Sequence, residues 1–262
     1  MFNREKMLSH LHTAEEQNLG GQILDKIEIV VKRKSEVSTN FLNPHEQSIA
    51  EGLIKQVYDI NYKIDGGYDR AERKRVTLFP DYLYPEHVKT PVCILKVEGN
   101  FKFNSVSHRD FLGAILGLGI KREMIGDILI LKDFAEVVVA EEIKEYICLR
   151  LKKVHQVPVN VEELDRENVV IPAENTREFT TTVPSMRLDA VSSAGFGDSR
   201  NKISRIIKSE KVKVNWKKEN NPAQTVEIGD LISIKGRGRV QIVKNEGLSH
   251  RGRVKLRLKR FL

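Results

Sequence analysis

The 22 residues GFGDSRNKISRIIKSEKVKVNW, at 195–216, change their hydrophobic repeat in mid-course, and any fold of this chain has to accommodate that change. Ile203, Ile206 and Ile207 recur at helical spacing, and Val212 and Val214 follow at strand spacing, so a short amphipathic helix must turn almost directly into a half-buried strand. The stretch also carries six Lys or Arg. With the isoleucines inward, Lys202, Arg205 and Lys208 fall at steps of three on the outer helix face, and Lys211 and Lys213 fall opposite the valines. Whether this is a solvated surface or a device for holding a polyanion depends on where the rest of the charge lies.

The net charge of the 262 residues is +8. Residues 175–262 hold 20 Lys or Arg against 8 Asp or Glu, a net of +12, which leaves 24 against 28, or −4, for the first 174. Charge carried for solubility would be spread along the chain. A segregated basic third is the footprint of contact with nucleic acid or another anionic surface.

Upstream, residues 1–82 read as mainly helical. Met7, Leu8 and Leu11 share one face, and Ile23, Leu24 and Ile27 share another after a break at Gly20-Gly21. Asn43-Pro44 is a helix start, and a short strand at 62–64 with apolar 76–79 suggests a small sheet. From 91 to 164 the order is strand (VCILKVEGN), helix from Ser107, two strands around Lys132-Asp133, helix from Glu141 to Val154, and strand (VPVNVEEL). That series is the ferredoxin-like β-α-β-β-α-β unit. The Pro-, Thr- and Glu-rich stretch IPAENTREFTTTVPS reads as a linker. The expected fold class is therefore α+β and multidomain: 1–82 mainly helical, 83–170 ferredoxin-like, 182–262 basic.

In the basic third, Ser185 and then Asp198 or Ser199 are expected to open two short helices joined at Gly195, a helix-turn-helix corner. Lys235, Arg237 and Arg239 fall on one face at period two. Arg251, Arg253, Lys255, Arg257 and Lys259 do the same in the tail, opposite Val254, Leu256 and Leu258. Basic alternation of that kind also protects an exposed sheet edge, and both readings of the tail stay open. Cys93 and Cys148 stand at neither metal nor redox spacing and are expected to be buried thiols. His108 has no second His or Cys at metal spacing, so it reads as a helix-start residue. No apolar run is long enough to span a bilayer, and MFNREKMLSHLH lacks a secretory layout, so a cytoplasmic protein is expected.

The pieces MRLDAV, SRNKISRIIKSEKVKVN and VEIGDLISIKGRG, in that order, resemble the S-four (alpha-L) RNA-binding module over 185–243. Two departures stand out: Ser192 and Ser193 where the module's first helix is apolar, with looser packing expected, and Trp216 where a glycine often follows Asn215. FLNPHEQ, GGYDRAERKRV and SHRDFLGAILGLGIKREMIGDI extend the likeness over nearly the whole length to the bacterial YlmH family. That resemblance implies binding of rRNA, tRNA or both on the large ribosomal subunit, in quality control of stalled peptidyl-tRNA complexes, with a genetic link to cell division.

The candidate RNA-binding residues are Arg187, Ser199, Arg200, Lys202, Arg205, Lys208, Lys211, Lys213 and Asn215 on the corner and its strand, then Lys235, Arg237, Arg239, Arg251, Arg253, Lys255 and Arg257. Each cation on a phosphate releases condensed counterions, and a helix N-terminus adds free N–H donors at Ser199 and Arg200. Arg187 has a second reading, as a structural partner of Asp189 or Asp198. The central strands VCILKVEGN and EVVVA contain no aromatic residue, so base stacking there is not expected. Backbone contacts by Arg109, Lys121 and Arg122, or a structural role, are expected instead.

Arg187-Leu188-Asp189 resembles the catalytic tripeptide of pseudouridine synthases, but the following AVSSAGFGDSR fits the helical corner and not a catalytic core. LGLGIKRE ends a helix rather than opening one, which argues against a methyltransferase loop. The chain is expected to be a non-catalytic monomer without metal or cofactor, with an RNA-modifying enzyme or a cell-division adaptor as the alternatives.

Overall fold

Capping residues set the starts of the first helices. In the computed structural model, which describes residues 3–101 and 106–261, α1 (Arg4–Leu8) begins where the Asn3 side chain accepts from the Lys6 N–H. The Thr13 hydroxyl accepts from the Glu16 N–H while the Glu16 carboxylate accepts from the Thr13 N–H, starting α2 (Ala14–Arg33). Strand β1 (Val37–Ser38) follows. Asn43 and Glu46 repeat the reciprocal cap at 3.1 and 2.7 Å for α3 (Pro44–Ile54), with Pro44 in the first turn. β2 (Ile60–Asp65) and β3 (Arg75–Pro80) complete a sheet of order β1-β3-β2.

The break expected at Gly20-Gly21 does not occur, because α2 runs through both residues. A Cβ on Gly20 would lie 2.6 Å from side-chain carbons of Leu8 and Leu11, so this glycine admits the neighbouring segment rather than ending the helix.

The next strands, β4 (Val92–Gly99), β5 (Ile125–Ile130), β6 (Phe134–Ala140), β7 (Lys153–Val154) and β8 (Val157–Leu164), form an antiparallel sheet of order β5-β6-β4-β8-β7. The helices α4 (His108–Leu116) and α5 (Lys144–Arg150) accompany it. The second helix stops four residues short of the expected Val154, because Lys153 and Val154 pair with Pro158 and Val157 in a tight hairpin.

This sheet is buried on both faces. Cys93, Leu95 and Val97 of β4 point to Phe111, Ile115 and Ile147 of the helices. Val92 and Ile94 point the other way, to Phe41, Val138 and Ala140, with Tyr68 and Val169 packed against them. Glu136, 1% exposed, lies among buried residues with its carboxylate accepting from the Val170 N–H.

The segment carrying GGYDRAERKRV is tied to this sheet. The Asp127 carboxylate accepts from the Tyr68 hydroxyl (2.9 Å) and from the N–H groups of Glu72 (2.6 Å) and Arg73 (3.1 Å). Arg75, 3% exposed, grips Glu142 through two bonds of 2.8 and 2.9 Å. Arg122, expected as a candidate RNA contact, instead donates to the carbonyls of Ile125 and Gly126, and burial together with the neighbouring Arg73 charge lowers its pKa to about 10. Cys93 is buried, which pushes its thiol up to about 12, whereas Cys148 is only half-buried.

The chain divides into two compact units, Met1–Pro172 and Ala173–Leu262. The second contains β9 (Thr176–Val183), α6 (Leu188–Phe196), α7 (Arg200–Lys208), β10 (Val212–Val214), β11 (Lys217–Glu219), β12 (Leu231–Ile234), β13 (Gly238–Leu248) and β14 (Val254–Phe261). Its sheet has the order β11-β10-β12-β13-β14-β9. The stretch expected as a linker thus supplies a strand, with 176–183 pairing residue by residue with 254–261. Its Phe179 and the β-branched run Thr180–Val183 suit a strand, and the flanking prolines mark its limits rather than a loop.

Leu188, Val191, Ile203 and Ile207 of the two helices pack with Val212, Ile232, Ile234, Val240, Ile242, Leu256 and Leu258 of the strands. Ser192 is fully buried, its hydroxyl without a hydrogen-bond partner among the described residues, while the Ser193 hydroxyl donates to the Asp198 carbonyl at 2.6 Å; a Cβ on Gly195 would lie 2.9 Å from Val240.

Gly126 lies where Phe41 meets the central sheet. A Cβ there would stand 2.8 Å from the Phe41 ring and 3.0 Å from Val138, both buried and unable to yield cheaply. Gly126→Ala should therefore cost about 1–3 kcal/mol and lower the Tm of the first unit by about 5 °C in calorimetry. An unchanged Tm would mean that this contact is not tight in solution.

Candidate nucleic-acid interface

The cationic corner is built over two carboxylates. Asp189, in the first turn of α6, is 4% exposed and accepts from Arg187 (3.2 and 3.1 Å) and from Arg200 (2.9 Å). Burial by itself would push this carboxyl up, but the two guanidiniums outweigh it and hold the pKa below the ordinary aspartate value. Asp198, just before α7, gathers a second pair of cations, pairing with Lys202 at 2.9 Å and with Arg237. Four cations from the start of α6, the first turn of α7 and the β12–β13 turn are thus drawn around the N-terminus of α7. Their side chains remain between 32% and 53% exposed, so the acids position them without hiding them.

Backbone geometry supports this placement. α6 opens at Arg187 rather than at the expected Ser185. Its first N–H groups are satisfied from outside the helix, Leu188 by the Gln224 carbonyl at 2.8 Å and Asp189 by the Pro222 carbonyl at 3.1 Å. It closes with Gly197 in the left-handed region at φ 70°. Ser199 caps α7, its hydroxyl accepting from the Lys202 N–H at 3.4 Å. On the outer face of α7, Arg205 and Lys208 are exposed, and among the described residues neither has an ion-pair partner.

The other expected residues fall into different places. Lys213 pairs across the sheet with Ser233, Ser233 with Arg239, and Arg239 with Phe261, so this row lies on the face turned away from α6 and α7. By the same alternation Lys255, Arg257 and Lys259 also point to that open face. Lys255 and Arg257 are bridged to Glu246, and Lys259 to Glu174. Arg239 and Lys259 each stand 5.2 Å from the Phe261 ring centre. The expected residues therefore do not converge on one face. They form a helix-side cluster and a sheet-side group, because α6 and α7 cover the apolar face of the sheet and the cations at alternate strand positions point to the other face.

Lys235 and Arg237 lie in the turn between β12 and β13, so the expected period-two row of Lys235, Arg237 and Arg239 does not form. Lys211 and Lys213 are exposed, and Arg251 sits in the turn before β14, where Arg253 donates to the Thr182 carbonyl. β14 lies between β13 and β9, so its basic residues do not protect a sheet edge.

Asn215 is committed to the fold. Its side-chain amide donates to Asp230 at 2.7 Å and its carbonyl accepts from the Leu231 N–H at 2.9 Å. Asn215 and Trp216 form a two-residue hairpin turn with both φ positive, 49° and 66°, a geometry that favours glycine at the second position. Arg260, absent from the expected set, shares the face of Leu256 and Leu258 and stacks over Phe196 of α6 at 5.6 Å. Its even position in the tail, opposite in parity to the residues singled out, was the available signal.

Residues 15–83 match a family described as "YlmH, N-terminal", 85–168 one described as "Putative RNA-binding domain in YlmH", and 186–232 the S4 domain. A Bacillus subtilis (strain 168) protein named "Ribosome-associated protein quality control protein P2" is 37% identical over 226 residues, 86% of this chain and 88% of that protein. The chain belongs to the YlmH family. A solved structure described as "Cell division protein ylmH from Streptococcus pneumoniae" is 27% identical, with a TM-score of 0.52 over 61% of this chain and 97% of the other. In this YlmH-family chain the S4 match spans Arg187, Asp189 and Asp198 together with all of α7.

Because the folded pKa of Asp189 is depressed, the stability it adds is fully present above the ordinary aspartate value of about 4. That stability is lost as the pH falls through the lowered folded value. Asp189→Asn should cost about 2 kcal/mol at neutral pH and flatten the acid limb of stability against pH, measured by urea unfolding. An acid limb as steep as that of the unsubstituted protein would show that the two arginines do not clasp this carboxylate.

Proposed function

We propose that this YlmH-family chain is a non-catalytic, monomeric, cytoplasmic RNA-binding protein. It binds ribosomal RNA, tRNA or both on the large ribosomal subunit, in quality control of stalled peptidyl-tRNA complexes. Its three domains are read as 1–82, 83–170 and a C-terminal RNA-binding module. The observation that carries the reading is the helix-side cluster: Arg205 and Lys208 on the outer face of α7, beside Arg187, Arg200 and Lys202 held by carboxylates, in a segment of net charge +12. Fixed guanidinium and ammonium groups at a helix N-terminus match phosphate geometry with little ordering cost on binding. The name of the Bacillus subtilis relative supports the ribosomal setting.

A catalytic role for Asp189 is disfavoured because its carboxylate is buried and held by two arginines. The glycines of LGLGIKRE end α4, with Gly119 at φ 84°, and present no helix N-terminus to a methyl donor. A cell-division adaptor is the second reading, supported by the description of the Streptococcus pneumoniae structure. Among the described residues no helix is long and apolar enough to cross a membrane.

Arg205→Glu with Lys208→Glu tests the proposal without touching the ion pairs that hold the corner together. Co-sedimentation with large ribosomal subunits should weaken, and the slope of log affinity against log salt should shrink by about 1.5, two contacts at 0.7–0.9 each. An unchanged slope with an unchanged melting curve would overturn the assignment to this face.

A further inference from the structure

In proteins that read single-stranded RNA on a β-α-β-β-α-β sheet, bases stack on the sheet face opposite the helices. That face is closed here, covered by Phe41, Tyr68 and Val169, with Val170 bonded to the buried Glu136. An RNA contact by the central domain must use another surface.

One such surface lies on the helix side. A groove of about 700 Å³ runs between α4 and the β7–β8 hairpin, lined by Arg109, Arg150, Lys152, Lys153 and His155, with Asp110 the one carboxylate among the described residues of its lining. All four Lys and Arg are exposed, and among the described residues none has an ion-pair partner. Asp110 is already engaged, accepting from the Ser107 N–H at 2.9 Å and from its hydroxyl at 2.6 Å to cap α4.

The opposite wall is made of small residues. Beyond Arg109 and Asp110 in its first turn, α4 presents Gly113 and Ala114, followed by Gly117 at its end, and a Cβ built on Gly113 would meet nothing within 4 Å. A chain of sugars and phosphates can therefore approach the helix backbone closely. At the hairpin tip, His155 is kept at φ 54°, where a side chain costs about 1–2 kcal/mol relative to glycine. The position nevertheless carries an imidazole at the edge of the groove.

The geometry points to this groove as a second RNA-backbone site, in which Arg109, Arg150, Lys152 and Lys153 contact phosphates while the α4 wall gives room for the ribose chain. The site contacts backbone more than bases, since among the described residues no Phe, Tyr or Trp ring lines it and His155 stands only at its edge. This inference rests on the RNA-binding reading above and adds a contact surface distinct from α7.

The test uses the full chain with Arg150→Ala, Lys152→Ala and Lys153→Ala combined, against two probes: protein-free large-subunit ribosomal RNA and intact large subunits. These side chains have no ion pairs to lose, so the melting curve should match that of the unsubstituted protein. The slope of log affinity against log salt should shrink by about 2.4 on both probes, three contacts at roughly 0.7–0.9 each. Ultraviolet crosslinking should place nucleotide adducts in the peptides around 109–117 and 150–158. An unchanged slope on free RNA overturns the site, and weakening confined to intact subunits assigns the groove to a protein ligand instead. If the unsubstituted chain binds neither probe in a salt-dependent way, the parent reading fails. If only the α7 variant changes the slope, the parent reading stands and the groove falls.

Discussion

A carboxylate sealed inside a protein must be answered by cations, and in the C-terminal unit that requirement organises the surface. Asp189 is buried in the first turn of α6, and among the described residues only Arg187 and Arg200 bring compensating charge within hydrogen-bond range. The acid fixes how α7 meets α6, and it also turns two long flexible side chains into oriented donors. Asp198 does the same for Lys202 and Arg237. Each acid holds two cations, so both centres stay net positive while losing the freedom that makes surface lysines poor recognition elements. The unpartnered Arg205 and Lys208 then extend that fixed patch along the helix.

The central sheet of the first unit follows a different constraint. Its strands are apolar on both sides, as Val92 and Ile94 against Cys93, Leu95 and Val97 illustrate, and a strand of that kind has no face left for a ligand. The GGYDRAERKRV segment belongs to this arrangement. Tyr68 and the backbone of Glu72 and Arg73 converge on Asp127, while Arg75 reaches Glu142. A motif rich in charge thus serves packing, whereas the cations of the groove beside α4 remain exposed.

Much of this was legible in the residues. Helical isoleucines followed by alternating valines located α7 and β10, and Asn43-Pro44 located the start of α3, because periodicity and capping are local physics. What escaped was set by tertiary contacts. Gly20 looked like a helix break but is a point of close approach to Leu8 and Leu11. Residues 176–183 looked like a linker because their pairing partner lies some eighty residues away in β14. The cationic residues were identifiable one by one. Their division between two faces depended on Lys235 and Arg237 forming a turn and on β14 lying inside the sheet. The partners of the candidate cations were partly legible, since Arg187 and Asp189 stand two apart, whereas the pairing of Arg237 with Asp198 joins segments that nothing local connects.

Trp216 occupies a hairpin position that would suit glycine, and it is the chain's single tryptophan. All six tyrosines lie between 58 and 146, in the other compact unit. The molecule is thereby labelled by its own amino acids. Excitation at the red edge of the aromatic band illuminates the basic unit alone, and tyrosine absorbance reports on the other, so the two can be followed as separate optical channels without any added dye.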